Sequence, residues 1–187
     1  MDAFSYLSVL ISIVLGLGLA HVLAGAARLL RYRARVRFYE PALAWMAFLF
    51  LVHVQIWWAM FDLRDVAMWT FVAFLLVLLI PVLAYFLTFL LVPDTEASEA
   101  VDLRASYYES RPAFFGVLGL LPIASLAMDF VVSERVYADT DVVFRVGFVV
   151  LAAVGFFSAS ERVHRALAFV GPGAFVAYVV LLFLRLA

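Results

Sequence analysis

Six long apolar runs, at about 4–30, 41–61, 68–92, 112–132, 142–160 and 166–185, divide this chain, and short polar stretches separate them. No other feature restricts the fold so severely. A helix rises 1.5 Å per residue, so about 20 apolar residues cross a hydrocarbon layer about 30 Å thick. Each run has about that length, and none carries the polar face of a helix lying on a water-soluble core. With 68% hydrophobic and 14% charged residues and a mean hydropathy of +1.11, a chain of 187 residues has too much surface for its volume to hide its apolar groups from water. The predicted class is all-α: a polytopic transmembrane bundle of six spans, forming one domain over 1–187, with the lipid bilayer as its solvent. The start carries Asp2 and no basic residue, and the first run is too long for a signal-peptide core, so it reads as a retained membrane anchor.

The charges then orient the spans. All 13 basic residues are arginine, and positive residues near span ends stay in the cytoplasm. The stretch "LGLGLAHVLAGAARLLRYRARVR" (15–37) leaves the membrane through Arg28, Arg31, Arg33, Arg35 and Arg37. Placing this basic loop inside puts Arg104, Arg111, Arg162 and Arg165 inside as well, and leaves Arg64, Arg135, Arg145 and Arg185 outside. Both termini are therefore predicted outside. The connection 93–111 is then cytoplasmic and interfacial. Asp94 or Thr95 is a candidate cap for a surface helix over about 95–110, and Glu96 and Glu99 suit the positive end of such a helix.

Several function classes are excluded early. No cysteine occurs, which removes disulfides, thiol catalysis and thiolate metal sites. No lysine occurs either, so Schiff-base chemistry has no amine. No basic domain offers itself to nucleic acid. The chain shows no phosphate loop, nucleophile triad, metal cluster or acid–base pair, and it does not read as an enzyme.

What remains is a short set of polar groups inside the spans, each a functional hypothesis because its burial in hydrocarbon is costly. His21 and His53 both lie roughly 15–18 Å from the arginine-bearing ends of their helices, near the midplane, with Gln55 beside the second. Three uses fit this pair: a proton relay or ion pathway also using Gln55, bis-histidine ligation of a b-type haem, or ordinary interhelical hydrogen bonding. Neighbouring helices about 8–10 Å apart leave little room for a macrocycle, so the packing role comes first. Asp129 and Arg145 fall near the outer ends of spans 4 and 5, and antiparallel neighbours would bring them together as an ion pair. The segment "SASERVHRAL" (158–167) reads as a solvated helix end, since Glu161 and His164 form only a lone Glu-x-x-His.

Helical phase sorts the first span into two faces. His21 shares one with Gly18, Gly25 and Arg28. Ser5, Ser8, Ser12 and Gly16 lie on the other, which continues through Ala20 towards Ala24 and Ala27, a small-residue ladder suited to close contact with another helix. One face is predicted to pack internally and the other across a homo-oligomer, a dimer first. Pro81 and Pro122 lie inside spans 3 and 4, and "GPG" (171–173) is expected to interrupt span 6 near its start; proline breaks are tolerated if the freed carbonyls face protein or a water-filled cavity.

The stretches "SVLISIVLGLGLAHVLAGAARLL" and "VHVQIWWAMFDLR" resemble those of a group of small bacterial polytopic membrane proteins with no assigned activity. The resemblance covers mainly the first two spans. It implies a bacterial inner-membrane location and no mechanism. The function expected from the sequence is a small oligomeric channel, a transporter or a membrane-embedded accessory subunit. The alternatives are a haem b or quinone-linked redox protein using His21 and His53, or a structural partner of a larger membrane complex.

Overall fold

The computed structural model describes residues 3–66, 68–93, 100–132 and 139–183. They form six helices: α1 (Ala3–Arg31), α2 (Glu40–Ala59), α3 (Phe71–Leu91), α4 (Leu103–Val132), α5 (Asp139–Phe157) and α6 (Glu161–Leu182). All six are long and apolar enough to cross a bilayer. Large apolar side chains such as Phe130, Phe157, Phe71 and Phe169 stand exposed on their outer faces, an arrangement that only a lipid surround accommodates. The protein is a six-span membrane bundle.

Five of the helices close a ring. α2 packs on α3, α3 on α4, α4 on α5, α5 on α6, and α6 returns to α2, while α1 lies outside against α2 and α3. The buried face of α1 runs through Ile11, Leu15, Gly18, Val22, Gly25 and Leu29. Ser12, Gly16, Ala20, Ala24 and Ala27 face outward. Two glycines set the approach of α1, because a Cβ on Gly18 would collide with the His53 ring and one on Gly25 with Val92.

At one end of the bundle, hereafter the arginine end, the connections are short and tied together. A 3₁₀ turn (Arg33–Arg35) leads into β1 (Val36–Arg37), which pairs in parallel with β2 (Val101–Asp102) through Val36↔Val101 and Arg37↔Asp102. Asp102 then caps α4, its Oδ1 accepting the backbone N–H groups of Arg104 at 3.0 Å and Ala105 at 3.1 Å. These donors hold its carboxyl below the usual carboxylate range, the Ala105 bond first. Such a cap satisfies amides that the first helical turn leaves open.

Here two expectations need correction. The surface helix predicted over about 95–110 is not a separate element over its described part: residues 103–111 are the first turns of α4, which continues as one helix to Val132. The effective cap is Asp102, while Asp94 and Thr95 lie outside the described residues. Pro112 does not end the helix, since proline removes only one intrahelical bond and neighbouring groups can compensate. Likewise, "GPG" does not interrupt the sixth span. α6 begins at Glu161, not near 166, and runs through Pro172. Gly171 makes room for Trp45, as a Cβ there would sit 2.6 Å from the indole ring.

The interior of the ring at the arginine end is filled by aromatic rings. Trp45 is fully buried and meets Phe48, Phe114 and Phe115 edge-on, with centroids 5.1–5.6 Å apart. Each such contact contributes about 0.5–1.5 kcal/mol beyond simple burial.

Candidate functional site

The ring is not filled throughout its length. Above Phe48 a cavity of about 660 Å³ opens toward the end opposite the arginine loop. Its floor is apolar and aromatic, with Phe48, Leu87, Phe148 and Phe175 on the wall, and Phe48 and Phe175 in ring contact at 5.1 Å. Its mouth lies among Asp62, Asp65, Thr70, Val132 and Phe183, residues at the ends of α2, α3, α4 and α6. Between floor and mouth stand Gln55, Ser125, Asp129 and Arg145.

Pro81 and Pro122 both lie on this wall, as do Val77 and Leu118, the residues four positions earlier. A proline in a helix leaves the carbonyl of residue i−4 without its intrahelical donor. The two prolines thus free two backbone acceptors belonging to residues that line the cavity. That is the setting in which a membrane tolerates broken helix ladders.

Asp129, Arg145 and Tyr178 of the wall belong with Asp141 behind it to a buried polar network. Arg145 donates through Nη1 to Asp129 Oδ2, and its Nη2 forms an ion pair with Asp141 Oδ2 at 2.8 Å. Tyr178 donates to Asp141 Oδ1 at 3.0 Å. Asp129, Asp141 and Arg145 are only 4%, 3% and 7% exposed, so their charges act in a medium where pairing counts heavily. The sequence points to Asp129 and Arg145; the structure adds two partners. Asp141 carried a legible signal, for an aspartate four residues before an arginine on one helix faces it. Tyr178 carried none, being 33 residues distant from Arg145 on another helix.

The two histidines stand outside this cavity. His53 donates from Nδ1 to the Leu49 carbonyl at 2.7 Å, and its Nε2 is pressed against Gly18 of α1 with no hydrogen-bond partner among the described residues. The His21 ring lies beside Tyr85 and Phe89 of α3, with centroids 6.5 Å and 5.9 Å away. With Nδ1 engaged, only Nε2 of His53 remains for a metal, and the α1 backbone occupies the approach. The residues present do not fit a haem iron at His53. Gln55, two residues on, points the other way and lines the cavity.

His164 departs furthest from expectation. Its segment reads as a solvated helix end, yet the ring is fully buried, bonded through Nδ1 to the Tyr107 hydroxyl at 2.8 Å and through Nε2 to the Ser158 carbonyl at 2.8 Å. Beside it, Arg111 Nη1 donates to the carbonyls of Gly155, Phe156 and Ser158 at 3.1, 2.7 and 2.6 Å. One guanidinium thus closes the carbonyl end of α5. Tyr39 and Tyr108 meet through their hydroxyls at 3.2 Å, and burial pushes the Tyr39 hydroxyl well up from its ordinary range. This cluster locks the arginine end, and none of its side chains lines the cavity above.

Compared with protein-family models, curated proteins and solved structures, the chain finds no match.

Proposed function

We propose that this integral membrane protein is a small transporter that admits a solute from the end opposite the arginine loop into the cavity within its five-helix ring. One observation carries the reading: an opening of about 660 Å³ in the middle of a bundle whose walls combine an apolar floor, two helix prolines and side chains of a buried charge network. Sites of this shape, mostly apolar with a few convergent polar groups, are the usual form of small-molecule sites. Intramembrane ionisable groups facing such a space commonly mark a solute or ion pathway. The arginine excess supports a cytoplasmic placement of the filled end, so the mouth faces outward and both termini lie outside. Release to the cytoplasm requires the aromatic column from Phe48 through Trp45 to Phe114 to part. The bacterial inner membrane is the location we assign. The outward-facing ladder of Ser12, Gly16, Ala20, Ala24 and Ala27 on α1 supports a homodimer through that helix.

The absence of native cysteine makes the test direct. Single cysteines at Ser125 and Met128 on the wall, at Phe114 in the aromatic column and at Arg35 in the basic loop are exposed to a membrane-impermeant maleimide in intact cells. Positions 125 and 128 are expected to react from outside, 35 only after the membrane is opened, and 114 under neither condition. Silence at both wall positions from either side overturns the transporter reading. Reaction at 35 in intact cells reverses the orientation.

A further inference from the structure

If the cavity is a solute site, as the preceding reading holds, the wall groups that the fold leaves unengaged indicate the class of solute. The charges do not: Asp129 and Arg145 hold each other, and Asp62 and Asp65 stand exposed at the mouth. Gln55 and Ser125 are different. Both are half-buried side chains on the wall, and neither has a hydrogen-bond partner among the described residues. A hydroxyl within a helix commonly turns back to a carbonyl of the preceding turn, as those of Ser8, Thr88 and Ser110 do here. Ser125 does not. The two groups also stand at one depth. α2 and α4 both rise from the arginine end, and Trp45 on α2 meets Phe114 on α4. Gln55 lies ten residues beyond Trp45 and Ser125 eleven beyond Phe114, so each is about 15–17 Å above that contact.

Below them lies the aromatic floor. Phe48, Phe148 and Phe175, from α2, α5 and α6, form a closed triangle with ring centroids 5.1–6.4 Å apart, and all three line the cavity. Phe48 precedes Gln55 by seven residues, about 10 Å along the helix. The space between therefore has rings at its base and, at its top, an amide and a hydroxyl that both donate and accept. A ring system settles on such a floor through edge-on or offset contacts. A polar edge reaching the upper level would meet hydrogen-bonding groups, whereas a full charge there would face two neutral groups and lose its hydration. We infer that the cavity takes a neutral aromatic molecule with a hydrogen-bonding edge. Its ring rests on Phe48, Phe148 and Phe175, and its edge lies between Gln55 and Ser125.

The test compares naphthalene probes of similar bulk on the full-length protein in nanodiscs of zwitterionic lipid. Binding is read by equilibrium dialysis, with empty nanodiscs as the partition control. 2-Naphthamide is neutral with a polar edge, 2-methylnaphthalene is neutral without one, 2-naphthoate is an anion and 2-naphthylmethylammonium a cation. The amide is expected to bind tightest. Gln55→Leu and Ser125→Ala are each expected to weaken it about threefold to tenfold, the scale of one hydrogen bond, and to leave 2-methylnaphthalene unchanged. Both variants are expected to fold, since neither side chain bonds a described neighbour. Should Gln55→Leu not fold, Ser125→Ala makes the same comparison. Tighter binding of either ion, equal binding of the amide and 2-methylnaphthalene, or amide binding that ignores both substitutions overturns the class and leaves a solute cavity standing. Binding of no probe overturns the aromatic class, and labelling at positions 125 and 128 then decides the cavity separately. Amide binding that persists when Ser125→Trp fills the space puts the ligand elsewhere and overturns the cavity reading itself.

Discussion

The two ends of this bundle use polar residues in opposite ways. At the arginine end they face one another across short distances: Arg111 on three carbonyls, His164 between Tyr107 and Ser158, Arg104 and Arg165 on Glu161, and Arg37 beside Asp102. The exposed ion pairs there contribute little individually. The buried His164 and Arg111 contacts matter more, because each satisfies a group that would otherwise lie dry and unpaired. At the opposite end the helices stand apart around open volume, and one buried guanidinium, Arg145, is shared between Asp129 and Asp141 beside it. A fold stabilised by one end can tolerate an unfilled other end. That division of labour suits a protein whose cavity binds something.

The comparison breaks first at Arg145. Replacing it by alanine leaves two buried carboxylates without their cation, and breaking a buried pair in this way costs about 3–5 kcal/mol. Asp129→Asn is expected to cost clearly less, since Arg145 keeps Asp141. Thermal unfolding of both variants in one detergent checks the asymmetry. Equal losses would return the network to a simple two-residue pair.

A smaller effect is expected at the arginine end. Tyr107→Phe removes the hydroxyl that meets His164 Nδ1 and leaves a buried ring nitrogen unsatisfied, a loss of about 1–3 kcal/mol. It should leave labelling at position 125 unchanged, because the lock and the cavity are separate. Altered reactivity at 125 would show that the two ends are coupled, and would make this cluster part of the gate.

The smallest effect concerns pH. The Asp102 carboxyl is held below its ordinary value of 3.8 by the backbone N–H groups it accepts in the fold, chiefly that of Ala105. A depressed carboxyl contributes its stabilisation above that ordinary value and loses it as pH falls through the lowered one. The cap's contribution should be constant from pH 8 to about 5 and decline below about 4. Comparing the wild type with Asp102→Asn across that range isolates it. Parallel curves that never converge at low pH would mean that the charge plays no part.

The particular misses share one cause. The chain announces six spans, the arginine loop, the prolines and the Asp129–Arg145 opportunity, all of which depend on residue type and spacing along one helix. It does not announce that Asp102 caps a helix of 30 residues, because Asp94 and Thr95 are equally suited by type, and pairing of Val101–Asp102 with Val36–Arg37 on a distant loop sets where Asp102 stands. Nor does it announce His164, whose burial depends on Tyr107, 57 positions earlier.

The sequence by itself determined that this protein lives in a membrane, how many times it crosses, and which end carries the positive charge. Those follow from apolar length and net charge, which the bilayer reads locally. Only the tertiary structure decided that five helices close a ring, that α1 stands outside it, and that Gln55 faces a cavity while His53 two residues away is pressed onto Gly18. In water, the polar face of a helix reveals its buried face. In lipid, the side toward the bilayer and the side toward the core are both apolar, so the pattern that would have shown which way each helix turns is missing from the sequence.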